Sequence, residues 1–340
     1  MERIAFLIDN ITIYWSAIIL TLAAAGAVCL FLALYLGKTG KTAAAAVCVP
    51  LAIVLSLLFG RAAHWYCRPD AYDSLMAAMD LRTPGGFALM GVFGGCLLAA
   101  ILVRLLRLTN NMPELLDCMC LAGGAGIAVG RLWAFFNASD RGMMLPSTLP
   151  FPWVCPGVNP VSGMTEYRLA TFLLQAIAAG GITLSLLVFY LAGQRKKLKD
   201  GDTCLLFLLF YGASQVLLDS TRYDSLYFRS NGFVSVVQVL GALALAVGAV
   251  VFSLRLVRAG GWKKWYLMLW TGLAACFGLA GYMEYYVQRH GGQAVFAYCM
   301  MGAALLDILM LTVMIRCLAV SAERKHASAL FGSRTSQGGN

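Results

Sequence analysis

Charged side chains are scarce in this sequence: they make up 12% of its 340 residues, against roughly 25% in soluble proteins. A water-soluble globule of this length has a polar surface to cover, and 16 acidic with 26 basic residues cannot cover it. Soluble enzymes, nucleic-acid-binding domains and disordered chains are therefore excluded. The alternation over about ten residues that marks an outer-membrane barrel strand is also missing. So is a basic leader, and the first apolar run is too long for a removable signal peptide, so it is expected to stay in the mature protein. No metal or cofactor site is evident, since Cys118 and Cys120 have no His or Cys partners at metal-ligand spacing.

What the chain does contain is apolar residues, 60% of the total. They fall into nine runs near Tyr14–Leu36, Thr42–Ala62, Gly85–Leu105, Leu115–Phe136, Leu169–Ala192, Cys204–Ser220, Gly232–Leu254, Trp265–Val287 and Ala294–Val320. A hydrocarbon core of about 30 Å needs about twenty such residues in helical form. The expected fold is an all-α polytopic transmembrane bundle. Assigning alternate loops to one side divides the 26 basic residues sixteen to ten, which places the N-terminus outside and the C-terminus in the cytoplasm. The richer, inner side holds few acids and reads as topology anchors that meet anionic lipid.

The inner loops are short. The longest outer segment runs from Asn137 to Arg168 and carries Pro146, Pro150, Pro152, Pro156 and Pro160, which forbid a long helix. Its Phe151 and Trp153 suit a stretch resting on the membrane interface. Nine of the 11 cysteines fall in or beside apolar runs and read as small core residues. Cys67 and Cys155 both fall in outer segments, so a bridge between them is a hypothesis.

Charged groups in or beside spans are costly and call for a compensating role. Arg61 follows the second run, Arg131 and Asn137 close the fourth, Arg168 opens the fifth, Asp219 and Arg222 close the sixth, and Asp307 lies inside the ninth. All but Asp307 stand at the outer ends. Arginines gathered at one depth among acids are suited to a phospholipid head group, because guanidinium meets phosphate oxygens with a fork of donors. The competing explanation is local: each arginine reaches the interface and pairs with its nearest acid, as Asp219 and Arg222 could at i, i+3.

Several short motifs then line up. Ile11-Thr12-Ile13-Tyr14-Trp15 opens the first span and Pro84-Gly85-Gly86 the third. Gly130-Arg131-Leu132 with Phe135, Asn137 and Gly142 stands at the fourth, Tyr211-Gly212 with Asp219 and Arg222 at the sixth, and Gln238 in the seventh. Over about residues 10 to 255 the chain resembles the bacterial prolipoprotein diacylglyceryl transferases, a seven-span family. The resemblance implies residues 1–257 as a transferase-like body, two additional spans over 258–320, and a disordered cytoplasmic tail over 321–340. It implies an inner-membrane enzyme that moves a diacylglyceryl group from phosphatidylglycerol to the lipobox cysteine of exported precursors, with membrane lipids as surroundings and no cofactor or nucleic acid.

Carried over residue by residue, the resemblance makes Arg131 the head-group phosphate clamp. Asn137 orients a glycerol hydroxyl, Tyr211 holds the head group, and Asp219 stands for the family's glutamate beside Arg222. Arg61, Arg168 and Gln238 supplement substrate binding. Tyr211 also reads as an interfacial anchor. The departures are Ser16 for a tyrosine, Met90 for the histidine of a His-Gly-Gly motif, Ala134 for the first asparagine of the Gly-Arg-Leu motif, and Gln215 for an arginine. Leu169-Ala170-Thr171-Phe172 stands where the family has His-Pro-Ser-Gln. Methionine exchanges no proton. Of His64, His290 and His326, only His64 falls near the same site, and Asp140 is the carboxylate alternative as base. Losses of this kind also fit a paralogue that keeps the lipid cavity and binds lipid or a partner. Asp307 alone is thin support for a transporter.

Overall fold

The computed structural model describes residues 4–8, 11–80, 85–137, 139–145, 150–158, 163–196, 199–229, 231–291 and 295–337. Pro84, Pro146 and Pro160 lie outside them. The apolar runs are helices, since in lipid a helix satisfies its own backbone. In order they are α1 Trp15–Thr39, α2 Thr42–Cys67, the short α3 Leu75–Met79, α4 Leu89–Leu105 and α5 Met112–Gly130. There follow α6 Thr171–Lys196, α7 Asp202–Ser220, α8 Val236–Gly260, α9 Tyr266–His290 and α10 Val295–Gln337. Eight are long and apolar enough to cross a membrane, and α4 is apolar but shorter, at 17 residues. The chain is an all-α polytopic membrane bundle.

Three differences from the sequence reading have local causes. α4 starts at Leu89 rather than Gly85, because the preceding glycines lie against side chains of the α2 region: a Cβ on Gly85 would fall 2.5 Å from Arg61 Nη1, and one on Gly86 2.5 Å from His64 Nε2. α5 tightens after Gly130 into a 3₁₀ turn, Arg131–Phe135. α10 continues past the apolar run that ends near Val320, to Gln337, over residues that include the helix formers Ala, Glu, Arg and Lys.

Three antiparallel hairpins were not legible as strands: β1 Ile4–Ile8 with β2 Ile11–Tyr14, β3 Val154–Val158 with β4 Thr165–Leu169, and β5 Tyr227–Phe228 with β6 Asn231–Ser235. They cap one end of the bundle. Trp15, just after β2, stacks on Phe136, and Arg229 at the β5–β6 turn lies over the ring of Trp65 in α2.

The chain forms two compact units, Met1–Phe207 with Ser214–Leu240, and Leu208–Ala213 with Gly241–Asn340. In the first, α2 packs along α4, α1 along α5 and α5 along α6, around Tyr35, Leu115, Leu121, Phe172 and Phe207. Leu22, Ile53, Leu184 and Val188 are exposed, as lipid-facing side chains are. At the end of the bundle away from the hairpins, Lys38 pairs with Glu114 at 3.1 Å and Asp200 at 2.8 Å, and Asn111 donates to both acids. That basic residue is a tie between α1, α5 and the loop before α7, and more than a topology anchor. In the second unit α9 packs along α10, with Leu273, Met301, Ile308 and Ile315 buried.

The α2–α4 seam depends on glycine. A Cβ on Gly95 would fall 2.5 Å from the backbone of Leu55 and Ser56, and one on Gly91 would meet the Phe59 carbonyl. Backbone cannot rotate aside as a side chain does, so Gly95→Ala is expected to destabilise the protein by about 1–3 kcal/mol through overpacking. Thermal unfolding in detergent measures it, and an unchanged midpoint would contradict the close approach.

Candidate functional site

At the hairpin end, Arg131 begins the 3₁₀ turn that closes α5, and the chain returns at Asp140, which holds a left-handed backbone at φ 58°. Asp is among the few residues that tolerate this conformation. Gly142 then pairs with Arg222 through an isolated β-bridge, and its amide donates to the Leu169 carbonyl at 2.8 Å. No side chain fits there, since a Cβ would fall 2.9 Å from that of Leu169. The loop after α5, the strand before α6 and the exit of α7 are thereby locked together.

Two guanidiniums converge on the one carboxylate this loop presents. Arg131 Nη1 lies 2.6 Å from Asp140 Oδ2, and Arg222 Nη2 lies 2.5 Å from Asp140 Oδ1. Arg222 also meets Asp219 Oδ1 at 3.2 Å and Asp224 Oδ1 at 3.0 Å, and Asp224 accepts the Asp140 amide at 2.7 Å. Asp219 and Arg222 do pair, but within a network that reaches α5. Burial works against the charge on Asp140, yet Arg131 and Arg222 prevail and hold its carboxyl pKa below the ordinary value. Burial likewise opposes the charge on Arg222, and Asp140, Asp224 and Asp219 outweigh it, so the guanidinium is held more firmly protonated than usual. A carboxylate in this position is an anchor for cations and a poor proton acceptor at neutral pH.

The second Asp219 oxygen accepts from the Ser235 hydroxyl. Ser235 precedes α8, receives the Gln238 amide on its own oxygen at 3.1 Å, and donates its amide to Gln238 Oε1 at 3.1 Å. This is a capping box, Ser-x-x-Gln, at a helix start. Gln238 is thus engaged in holding α8, and through Ser235 in fixing Asp219.

Arg141, absent from the sequence-derived site, is 6% exposed. Its Nη2 donates to the carbonyls of Ala134 at 3.4 Å and Asn137 at 3.2 Å, and its guanidinium lies over the Phe172 ring. The Asn137 side chain accepts from Ser139 at 3.4 Å. Cys155 lies in the same pocket, buried with Ala134, Ala170 and Phe172. The suggested Cys67–Cys155 bridge is not made: both thiols are free. Cys155 faces inward beneath β3, and its Sγ donates weakly to Pro152.

Arg61, 2% exposed, belongs to a different group. Its Nε donates to the Ala78 carbonyl at 2.9 Å, Nη2 to that of Asp80 at 3.2 Å, and Nη1 to the Tyr72 hydroxyl at 3.0 Å. His64 Nδ1 shares that hydroxyl at 2.9 Å. Arg61 and His64 therefore pin the segment between α2 and α4. The two groups adjoin through Arg68, whose Nη2 donates to the Asp224 carbonyl at 3.0 Å. Arg168 pairs with Glu166 at 2.7 Å and covers the Tyr223 ring at 4.1 Å. Tyr211 is buried in the middle of α7, eight residues before Asp219, on the segment counted with the second unit. It is no interfacial anchor.

Among the departing positions, Ser16 and Ala134 are buried and Met90 is half-buried near the start of α4. Gln215 faces α6, where its Oε1 accepts from Gln175 Nε2 at 3.1 Å, both residues being buried. Among the described residues no group of three or more His, Cys, Asp or Glu side chains is placed to hold a metal ion.

The family profile described as prolipoprotein diacylglyceryl transferase matches residues 3–254. Relatives named phosphatidylglycerol–prolipoprotein diacylglyceryl transferase include one from Finegoldia magna, 26% identical over 253 residues that cover 73% of this chain and 95% of the relative. One from Lactococcus lactis subsp. lactis is 27% identical over 258 residues, 76% of this chain and 96% of the relative. One from Clostridium botulinum is 27% identical over 250 residues, 72% of this chain and 94% of the relative. The match spans every residue of the Arg131–Asp140–Arg222 cluster, and the chain belongs to the prolipoprotein diacylglyceryl transferase family.

Proposed function

We propose that this chain transfers a diacylglyceryl group from phosphatidylglycerol to the lipobox cysteine of exported prolipoproteins, with Arg131 facing the lipid phosphate. The substrate sulfur attacks the glyceryl carbon that bears the phosphate, a C–S bond forms, and the C–O bond breaks with its electron pair leaving on glycerol phosphate. The thiol proton is released in the same exchange. A phosphodiester with one negative charge becomes a monoester that gathers a second, so the transition state calls for cations at the phosphate oxygens. The observation that carries this reading is the convergence of Arg131, after α5, and Arg222, after α7, on Asp140 at 2.6 and 2.5 Å.

The roles divide by engagement. Arg222 meets three carboxylates and is a positioning residue, Asp140 transmits that position to Arg131, and Asp219 is fixed by Ser235. Asn137 is assigned to the glycerol head group, and Tyr211, buried in the middle of α7, is left out of that contact. The hairpin end is taken as the exterior side of the cytoplasmic membrane, where exported precursors arrive, with the N-terminus outside and the C-terminus in the cytoplasm. Residues beyond the family match, including α9 and α10, are an addition to the transferase body.

A second reading, a lipid-binding paralogue without catalysis, is favoured by the neutral Gln175–Gln215 pair and by Met90 in place of a histidine. One assay separates the two. In cells depleted of their own transferase, expression of this chain is expected to give an exported lipobox precursor the added mass of a diacylglyceryl group and detergent-phase partitioning. A precursor that stays unmodified while the protein accumulates in the membrane would favour the paralogue.

A further inference from the structure

The cations assigned to the phosphate are outnumbered where they stand. Arg131 and Arg222 share Asp140, and Arg222 also holds Asp219 and Asp224, so two positive charges face three negative ones. An incoming phosphate adds to the negative excess. Arg141 is the opposite case: it is 6% exposed, forms no ion pair among the described residues, and its Nε and Nη1 are buried without a hydrogen-bond partner. What lies against it is a phenyl ring, two carbonyls on the third nitrogen, and the Cys155 thiol, a weak acceptor at best. A buried, permanently charged side chain without a counter-ion is costly to maintain, and Nε and Nη1 are separate charged donors from which the oxygens of an anion can accept. Arg141 is joined directly to Asp140, and its Nη2 holds the Ala134 carbonyl of the turn that carries Arg131.

We infer that Arg141 is a phosphate-binding residue of this site, supplying through Nε and Nη1 the unneutralised cation that Arg131 and Arg222 do not. The inference rests on the phospholipid reading above and deepens it: the recognised chemistry is a phosphate ester, carried by a lipid head group or by the water-soluble glycerol phosphate that leaves. Arg141 is not part of the resemblance motifs.

The test is thermal unfolding of the full-length protein in detergent, with phosphatidylglycerol, with diacylglycerol and with glycerol phosphate, for the wild type, Arg141→Gln and Arg141→Lys. The wild-type midpoint is expected to rise with phosphatidylglycerol and not with diacylglycerol. Titrated with the lipid, Arg141→Gln is expected to bind it about tenfold more weakly, the loss of one charge-assisted contact. Arg141→Lys, which keeps the charge but presents a single ammonium in place of the guanidinium donors, falls between. A rise with glycerol phosphate as well identifies the leaving head group as a second occupant. If the role of Arg141 is only to brace Ala134 and Asn137, both variants unfold earlier but keep the full lipid-induced rise, and the inference is overturned. It is equally overturned, whether or not the variants fold, if diacylglycerol stabilises the wild type as well as phosphatidylglycerol does. Lipid binding that depends on Arg141 without precursor modification would remove the transferase reading and leave this one standing. Precursor modification with an unchanged lipid-induced rise in Arg141→Gln would do the reverse.

Discussion

Arg131→Ala is expected to lower diacylglyceryl transfer by about a hundred- to a thousandfold while the protein stays folded, the loss typical of one preorganised donor to a developing oxyanion. Arg222→Ala is expected to fail differently. When Arg131 is removed, Asp140 still holds Arg222 at 2.5 Å, and no acid is left without a cation. When Arg222 is removed, Asp219 keeps only the Ser235 hydroxyl, Asp224 keeps only the Asp140 amide, and both are left as carboxylates without a cation. Breaking a buried ionic network in this way costs about 3–5 kcal/mol. The two variants therefore separate on two axes, precursor lipidation in depleted cells and thermal unfolding in detergent. Equal loss of stability in both would show that Arg131 is as structural as Arg222, and retained transfer in Arg131→Ala would remove it from the phosphate.

Those two arginines were legible in the sequence for a physical reason: a charge at the end of an apolar run is expensive, and Gly130-Arg131 and Asp219-x-x-Arg222 announce themselves by position alone. The helices were legible for the same reason, because lipid leaves the backbone few choices. The residues that were misplaced are those whose surroundings come from distant segments. Arg61 stands near the end of α2 as conspicuously as Arg131 follows α5, but its donors are engaged by the carbonyls of Ala78 and Asp80 and by Tyr72, which fold back over it. Arg141 is one basic residue of a long loop in the sequence, and it is the fold that buries it against Phe172 at the start of α6. Gln238 is the exception, since Ser235 three residues earlier is a capping signal that could have been read directly. The strands were hidden because hairpins of four or five residues, or two in the case of β5, leave too short an alternation to stand out.

The position with the largest expected response inside the membrane is Gln215. The resemblance places an arginine there, and this chain instead sets two buried amides face to face, Gln175 Nε2 donating to Gln215 Oε1 at 3.1 Å, with Gln175 Oε1 buried and unpartnered among the described residues. Gln215→Arg puts a charge that cannot be shed opposite a neutral amide at a site 2% exposed. The orphaned Gln175 oxygen accepts one of its donors but does not neutralise it, so a loss of about 3 kcal/mol or more is expected. Gln175→Glu alone should cost less, because a buried carboxyl opposite an amide can take up a proton and remain neutral. With both changes together the carboxylate meets the guanidinium across the α6–α7 contact, and most of the loss should be recovered, a coupling of about 2 kcal/mol or more in a double-mutant cycle of thermal unfolding. Two losses that merely add would mean that residues 175 and 215 do not face each other. If the pair is recovered and transfer rises with it, the neutral amides are a tolerated substitute for an ion pair and not the mark of a chain that has given up catalysis.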